Sequence, residues 1–331
     1  MRAMLSHAPG GPETLSLTEM PMPDPGPGQV RIAVKAAGVN FPDTIIIRDL
    51  YQYKPARPFA PGGEVSGVID AVGEGVDGFA VGDRVLALPL FGGFASHIVC
   101  ALDMVRKIPD AMSFQDAACF VFTYGTSYYA LKDRGGLAEG DTLLVLGAAG
   151  GIGASAVELG RAMGARVIAA VSSPEKAAFC EDIGADATIV YPHEMDRDAQ
   201  KAFSGAIKAH AGADGVDVIY DPVGGDYAEP ALRAIAWGGR YLVVGFPAGI
   251  PKIPLNLPLL KNCQIVGVFW GAFTKRFPER HAAQMDELFA LYEAGRIKPR
   301  ISAVFALKDA AKALKLIETR KATGKIVLKI D

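Results

Sequence analysis

The second half of the chain alternates short apolar runs with longer stretches in which apolar residues recur at helical spacing. From about residue 113, runs such as Thr142–Leu146, Arg166–Val171 and 216–220 are mostly apolar, which is typical of strands buried in a parallel sheet. Further strands are predicted at 187–191 and 240–245, with helices up to residue 183 and over 194–210 and 227–235. This alternation predicts right-handed βαβ units and an α/β fold.

The first third has a different pattern, in which short β-rich runs at 29–35, 64–72 and 83–88 are separated by Gly and Pro. Strands at this spacing predict a compact, mostly antiparallel β-domain. The last segment contains a strand-like run at 264–269, helices over 278–294 and up to about residue 320, and a strand at 325–330. Periodicity leaves open which domain this segment completes.

A glycine-rich turn from Gly147 to Gly153 follows the strand Thr142–Leu146 and precedes a helix. Glycines let the backbone approach a phosphate, and free N–H groups at the helix N-terminus face the anion. The turn therefore predicts a pyrophosphate site made by Ala148, Gly150, Gly151, Ile152 and Gly153. A plain connection between strand and helix is the alternative.

The strand Arg166–Val171 ends in Ser172-Ser-Pro-Glu-Lys176, without an acidic residue at its end. An NAD site usually places Asp or Glu there for the ribose hydroxyls, whereas hydroxyls and a cation suit a 2′-phosphate. Ser172 and Lys176 therefore predict NADPH. Ser173 has a second interpretation as the N-cap of a helix that begins at Pro174.

Composition excludes several classes of protein. The formal charge of −2 over 331 residues gives no broad basic surface for nucleic acid or an anionic membrane. No secretory signal opens the chain, and the longest uncharged stretch, 142–157, is too short to span a bilayer, so we expect a cytoplasmic protein. The cysteines and histidines show no metal-binding spacing and predict reduced thiols and no zinc.

Several motifs in a shared order resemble the medium-chain dehydrogenase/reductase superfamily, specifically its zinc-free quinone oxidoreductase branch, which includes zeta-crystallin. They are Gly38-Val-Asn-Phe-Pro-Asp43, Pro61-Gly-Gly-Glu64, Gly82-Asp-Arg-Val85, Gly125-Thr-Ser-Tyr-Tyr-Ala-Leu131, the glycine turn, Asp221-Pro-Val-Gly-Gly225 and Thr323-Gly-Lys-Ile-Val-Leu328. The match runs over nearly the whole chain. It implies a GroES-like, mostly β catalytic domain of residues 1–119 and 263–331 and a Rossmann doubly wound parallel-sheet domain of residues 120–262.

The resemblance also bears on metal chemistry. Zinc alcohol dehydrogenases of the superfamily place a catalytic Cys and a His where this chain has Asn40 and Gly63. Without those ligands an alkoxide would lack its Lewis acid. The resemblance therefore implies a zinc-independent NADPH:quinone oxidoreductase or enone reductase, with a quinone or α,β-unsaturated carbonyl as hydride acceptor.

Three catalytic residues follow from matching positions in the family. Asn40 is expected beside the nicotinamide and substrate, where its amide donates to an oxyanion; a turn-forming Asn is the alternative. Tyr51 is expected to donate its hydroxyl in the pocket, with Tyr53 as a less well-placed neighbour, and Ile45 replaces a second pocket tyrosine. Thr126 is expected to contact the nicotinamide amide or to cap a helix.

The remaining cofactor contacts are also implied by the resemblance. Phe246, Phe269 and Trp270 lie in segments that flank the nicotinamide in this family, although aromatic residues in strands are more often core. Val223, in the turn beyond the strand that ends at Asp221, is expected as a further cofactor contact at the carboxyl edge of the sheet. Tyr191 and Arg320 are expected to complete the 2′-phosphate site with Ser172 and Lys176. Pro222 stands where the family has serine.

Two other functions stay open. An enoyl thioester such as a short acyl-CoA (acrylyl-CoA type) would need a basic channel, which Arg48, Lys54 and Arg57 could form. The second open function is that of an NADPH-binding structural or regulatory protein with little turnover. The resemblance further implies a homodimer that pairs through the edge of the nucleotide-binding sheet, with residues 264–269 as the edge strand.

Overall fold

Strands are the main regular secondary structure in the first 122 residues, as the Gly- and Pro-punctuated pattern predicts. The computed structural model describes all residues from 1 to 331. The strands are β1 (Arg2–Leu5), β2 (Ser16–Glu19), β3 (Gln29–Val39), β4 (Val65–Val72), β5 (Arg84–Ala87), β6 (His97–Ala101) and β7 (Val105–Lys107). The helices are α1 (Phe41–Ile46) and α2 (Phe114–Ala117).

Residues 123–298 alternate strands and helices. A continuous helical stretch comes first, with π-helical turns at Val121–Gly125 and Tyr129–Arg134 on either side of α3 (Thr126–Tyr128). Next come β8 (Thr142–Leu146), α4 (Gly151–Ala162), β9 (Arg166–Val171), α5 (Pro174–Asp182), β10 (Ala187–Val190), α6 (Arg197–Ala211), β11 (Val216–Asp221), α7 (Ala228–Leu232), β12 (Ile235–Val243), α8 (Asn256–Lys261), β13 (Gln264–Gly267), α9 (Trp270–Arg276) and α10 (Pro278–Glu293).

Residues 299–331 form β14 (Ile301–Ala306), α11 (Ala310–Glu318) and β15 (Lys325–Lys329). They belong to one compact unit with residues 1–122, and residues 123–298 form the other. The first unit contains a seven-stranded sheet in the order β14-β15-β3-β4-β5-β7, with β6 paired to β3, and most of its pairs are antiparallel. Its apolar core includes Ile32, Ile69 and Phe94.

The second unit is built on a six-stranded parallel sheet in the order β10-β9-β8-β11-β12-β13. Strands β8 and β9 are almost wholly buried, which explains their unbroken apolar sequences. Parallel strands align their carboxyl ends, so the turns after β8, β9, β11 and β12 lie at one edge of the sheet. The α/β fold predicted from the sequence is confirmed.

Two predicted boundaries are wrong. Residues 263–298 were assigned to the first domain, but β13 pairs in parallel with β12 and extends the sheet of the second unit. The helix predicted over 227–235 ends at Leu232, and Ile235 begins β12. A continuous apolar stretch suits a buried helix and a buried strand equally, so its pattern could not locate that boundary.

Candidate active site

The glycine turn has the shape that close approach to a phosphate requires. Gly147 has φ of +59°, and Gly150 precedes the first residue of α4. A Cβ built on Gly153 would lie only 2.4 Å from the Gly147 carbonyl oxygen. The first turn of α4 therefore packs directly on the loop and directs its N–H groups to the carboxyl edge of the sheet, which fits a dinucleotide pyrophosphate.

Two more loops adjoin this turn. A Cβ built on Gly147 would lie 2.7 Å from Val223 Cγ2, so the loop after β11 lies against the glycine turn. The Val223 carbonyl in turn accepts a hydrogen bond of 2.9 Å from Ala248 N in the loop after β12. The structure thus brings predicted residues of three loops together, with the Phe246 side chain exposed beside Gly224.

Asp221 shapes the loop after β11, a role that the sequence analysis did not assign. Its Oδ1 accepts hydrogen bonds of 2.8 Å from both Val223 N and Gly224 N, and its Oδ2 accepts one from the Tyr241 hydroxyl. Burial raises the pKa of this carboxyl, and these hydrogen bonds oppose the increase. An acidic residue at the end of a buried strand was the available signal.

Ser172 and Lys176 meet at the carboxyl end of β9. Lys176 Nζ donates a 3.1 Å hydrogen bond to Ser172 Oγ. Ser173 accepts a hydrogen bond from Lys176 N and caps α5, which begins at Pro174 as predicted. The junction between β9 and α5 therefore holds a hydroxyl and a cation side by side, and no carboxylate follows β9 directly.

Tyr191 and Trp270 have packing roles that the sequence could not show. The Tyr191 ring is buried, and its centroid lies 4.8 Å from the Tyr227 ring centroid and 5.5 Å from the Phe203 ring centroid. A Cβ built on Gly125 would lie 2.7 Å from the Trp270 indole, so this ring packs on the helical stretch that contains Thr126. Phe269, by contrast, is exposed.

Thr126 is buried in the second unit, between the two π-helical turns. The preceding Gly125 has helical dihedral angles, so the helix continues through this point and needs no cap from Thr126. The neighbouring Ser127 is hydrogen-bonded to Ser155 and to Tyr220, at 2.9 and 2.8 Å. These bonds tie the segment to α4 and β11, and π-helical turns of this kind are frequent at functional sites.

In the first unit, Asn40 lies in a buried polar cluster. Lys325 Nζ donates a 2.6 Å hydrogen bond to Asn40 Oδ1, and Asn40 Nδ2 donates one of 3.2 Å to Glu64 Oε2. Lys325 and Glu64 are also ion-paired at 3.3 Å. Asn40 is also the N-cap residue of α1 and forms a capping box with Asp43. Its amide contacts to Lys325 and Glu64 lie outside α1, so a turn-forming role alone does not account for them.

Asp43 supports this cluster from α1. Its two carboxylate oxygens accept hydrogen bonds from Asn40 N at 2.8 Å and Gly62 N at 3.0 Å. Burial raises the pKa of Asp43 to about 6, although these bonds and the Lys325 charge oppose the increase. Asp43, Glu64 and Lys325 lie in motifs of the family, but no role was predicted for them, since nothing in the sequence places residue 325 beside residue 40.

Tyr51 is half-buried near Asp43, and burial raises the pKa of its phenol. Tyr53 is more exposed and stacks on Phe91 with 5.8 Å between ring centroids. Ile45 is partly buried in α1. The sequence prediction that Tyr51 is better placed than Tyr53 stays a prediction.

The cations considered for a CoA channel are mostly engaged. Arg48 forms an ion pair with Glu318, and Arg57 forms one of 2.6 Å with Asp49. Arg57 also donates to Ser6 Oγ. Of the three candidates only Lys54 is exposed, which leaves little basic surface for the phosphates of CoA.

No cluster of three or more His, Cys, Asp or Glu side chains is arranged to hold a metal ion. Burial raises the pKa of Cys100 to about 12, so this thiol stays protonated. None of the helices has the length and apolar character needed to cross a bilayer.

Arg320, predicted at the 2′-phosphate site, is exposed just beyond α11, with φ of +56°.

Comparison with known proteins identifies the class. Residues 26–110 match the family model "Alcohol dehydrogenase GroES-like domain", and residues 151–287 match "Zinc-binding dehydrogenase". The chain is 40% identical to "Quinone oxidoreductase-like protein 2 homolog" of Nematostella vectensis, over 92% of this chain and 82% of that protein. It is 33% identical to human "Quinone oxidoreductase", over 99% and 97% of the two chains.

The structure is also similar to Escherichia coli quinone oxidoreductase complexed with NADPH, with a TM-score of 0.90, 29% identity and coverage of 99% of this chain and 100% of that one. The fold and the carboxyl-edge site thus define an NAD(P)-dependent oxidoreductase with a GroES-like and a Rossmann domain. The chain belongs to the medium-chain dehydrogenase/reductase superfamily, in its quinone oxidoreductase branch. The resemblance found in the sequence is confirmed.

Proposed function

We propose that this protein reduces a quinone or an α,β-unsaturated carbonyl compound with NADPH, without a zinc ion. The observation that carries the proposal is the Asn40 amide, held in a buried cluster by Lys325 and Glu64. A neutral amide can donate a hydrogen bond to an oxygen that gains negative charge, without itself losing a proton. Such a group suits reduction of an electron-poor carbonyl compound.

NADPH is the proposed cofactor and supplies a hydride when bound. The glycine turn would hold its pyrophosphate, since only the absence of a side chain at Gly153 lets α4 pack against Gly147. Ser172 Oγ and Lys176 Nζ, 3.1 Å apart, would hold the 2′-phosphate. Tyr191 and Arg320 would complete this phosphate site.

Around the acceptor, Asn40 and Tyr51 would orient its carbonyl oxygen. The Tyr51 phenol can donate a hydrogen bond, and burial raises its pKa above the ordinary value. Thr126, fixed by the bonds of Ser127, would orient the nicotinamide amide, with Val223, Phe246, Phe269 and Trp270 on the nicotinamide side. Positioning of the reacting groups is the main contribution of the protein.

The test is a substrate panel that follows NADPH oxidation with 1,4-benzoquinone, 9,10-phenanthrenequinone, a simple enone and a short enoyl-CoA, with zinc measured on the same sample. We expect turnover with quinones or the enone that survives dialysis against a chelator. Turnover lost with stoichiometric zinc would refute the zinc-free reaction. NADPH binding without any turnover would instead indicate a structural or regulatory protein, and activity confined to the enoyl-CoA would move the acceptor to thioesters.

We also propose that two copies pair through β13. This strand is at the edge of the parallel sheet, and Ile265 on it is exposed. Leu255, Leu259 and Leu260 in and before α8 are exposed as well, Leu259 to 79%. An apolar edge of this kind is prone to pairing with another strand, and a homodimer would cover it.

A further inference from the structure

We infer that Lys325 is a positioning residue whose ammonium group fixes and polarises the Asn40 amide so that one Nδ2 hydrogen stays available to the acceptor. The inference deepens the proposed function and rests on the role of Asn40 in it. Lys325 itself contacts the oxygen of the amide and is only 4% exposed. A lysine so deeply buried requires a partner, and it has two.

Sheet register brings the three side chains together. Strand β15 pairs with β3 so that Ile326 lies opposite Val39, which puts Lys325 opposite Asn40 at the end of β3. Strand β4 pairs on the other side of β3, where Gly38 N donates to Glu64 O. Gly324 has φ of +59° and packs on the Arg300 carbonyl, which sets the point where β15 begins.

The chemistry of the partners fixes the amide orientation. An ammonium group only donates hydrogen bonds and an ionised carboxylate only accepts them, so Oδ1 must face Lys325 and Nδ2 must face Glu64. A flipped Asn40 amide would set its NH₂ group against the Lys325 ammonium, donor against donor, and its oxygen against the Glu64 carboxylate, acceptor against acceptor. The pair Lys325 and Glu64 therefore holds Asn40 in one of its two amide orientations.

One donor remains after these contacts. Nδ2 carries two hydrogens, and within the chain it has a single acceptor, Glu64 Oε2. A positive charge 2.6 Å from Oδ1 draws electron density toward that oxygen and makes the remaining N–H a stronger donor, an effect that low local dielectric increases. An ion pair that served only to hold β4 and β15 together would not need the asparagine.

The test uses variants that keep the buried charge balanced. Lys325→Met alone leaves the Glu64 carboxylate buried without its cation, which can unfold the protein. The double variant Lys325→Met/Glu64→Gln removes both charges, and Lys325→Arg keeps a charged donor. Lys329→Met is the matched control, because Lys329 is in the same strand but exposed.

A readout independent of turnover comes from the three asparagines of the chain, Asn40, Asn256 and Asn262. Selective ¹⁵N labelling of their side chains gives three amide signal pairs, and Asn40→Ala identifies one of them. In the wild type we expect the two Asn40 hydrogens to differ widely in shift, because one faces a carboxylate. In the double variant this separation should shrink, and in Lys329→Met it should not change.

In the kinetic readout, the double variant should lose about tenfold to hundredfold in kcat, less than the roughly hundredfold to thousandfold that removal of a whole oxyanion donor costs. Its NADPH Kd and unfolding midpoint should stay near the wild-type values, and Lys325→Arg should recover part of kcat. Unmoved Asn40 signals, or a large rise in NADPH Kd with unchanged kcat, would overturn the inference. Absence of turnover in the wild type would reject the proposed function, whereas the amide signals would still decide whether the Lys325 and Glu64 pair positions Asn40.

Discussion

At the scale of single residues, the buried acids are the least expected feature of this protein. Asp43, Glu64 and Asp221 are all nearly inaccessible to solvent. Each accepts backbone N–H groups: Asp43 from Asn40 and Gly62, Glu64 from Phe122, and Asp221 from Val223 and Gly224. These carboxylates fix loops next to the proposed site, a purpose for which apolar side chains would not serve.

The raised pKa of Asp43 predicts a pH-dependent stability. Because the pKa rises from 3.8 to about 6 on folding, the folded protein binds the proton more tightly than the unfolded chain does. The stabilisation is therefore complete below pH 4 and lost as pH rises through 6, a change of roughly 3 kcal/mol. Urea unfolding at several pH values measures this effect. Between pH 4 and 7, the free energy of unfolding of Asp43→Asn should increase relative to that of the wild type. A constant difference between the two proteins would contradict the raised pKa.

Lys176 provides a prediction on cofactor choice. Lys176→Met should raise the NADPH Kd by about tenfold and leave the NADH Kd unchanged, since only NADPH carries the 2′-phosphate. The effect is limited because the pair with Ser172 is partly exposed to solvent. Fluorescence titration with both cofactors measures it, and Lys201→Met on the exposed face of α6 is the control. Equal losses for both cofactors would show that Lys176 does not discriminate between them.

The sequence could predict Ser172 and Lys176 because their signal is local. Both lie within five residues of the end of β9, where a strand followed by a helix leaves little freedom of placement. Lys325 is 285 residues from Asn40 and meets it only through the pairing of β15 with β3. Contacts set by strand register between distant segments are not encoded in any local pattern, so the supporting half of the candidate site was missed.

At the scale of elements, the glycine turn depends on contact between α4 and its own loop. Gly153→Ala would place a methyl group 2.4 Å from the Gly147 oxygen and 2.7 Å from Ala148 Cα, both backbone atoms that cannot move aside easily. We expect a loss of about 1 to 3 kcal/mol in stability and at least a tenfold rise in NADPH Kd. Thermal unfolding and cofactor titration check both effects.

Gly205→Ala is the matched control for this substitution. Gly205 lies inside α6, and a Cβ built on it would have nothing within 4 Å, so the change should stabilise the helix by up to about 1 kcal/mol and leave NADPH binding unchanged. Wild-type affinity in Gly153→Ala would mean that the turn does not bind the pyrophosphate.

Elements with a strong period and a clear end were predictable. Strands β8 and β9 and the start of α5 agree with the sequence prediction, because Gly147 and Pro174 mark where each element changes. The elements after Asp221 were not predictable, since α7 is only about one and a half turns long and is followed almost directly by β12. The GroES-like architecture itself came from the resemblance and not from periodicity.

At the scale of the whole molecule, strand β13 decides both the domain boundary and the proposed assembly. The resemblance predicted the same segment to be an edge strand of the nucleotide-binding sheet, and the structure places it at that edge beside β12. Because its outer side has no partner strand within the chain, it provides backbone N–H and C=O groups for a second copy. The exposed side chains of Ile265 and Leu259 add apolar area in this strand and in the helix just before it.

Charge placed at this edge should separate the two copies. Ile265→Glu combined with Leu259→Glu would set like charges against each other across a symmetric interface, at a cost of several kcal/mol. Light scattering should then give one chain mass of 34.8 kDa in place of about twice that value for the wild type. Val81→Glu is the control, since Val81 is also apolar and exposed but belongs to the first unit. A dimer that persists in the double variant would place the interface elsewhere, and a monomeric wild type would show that β13 stays unpaired.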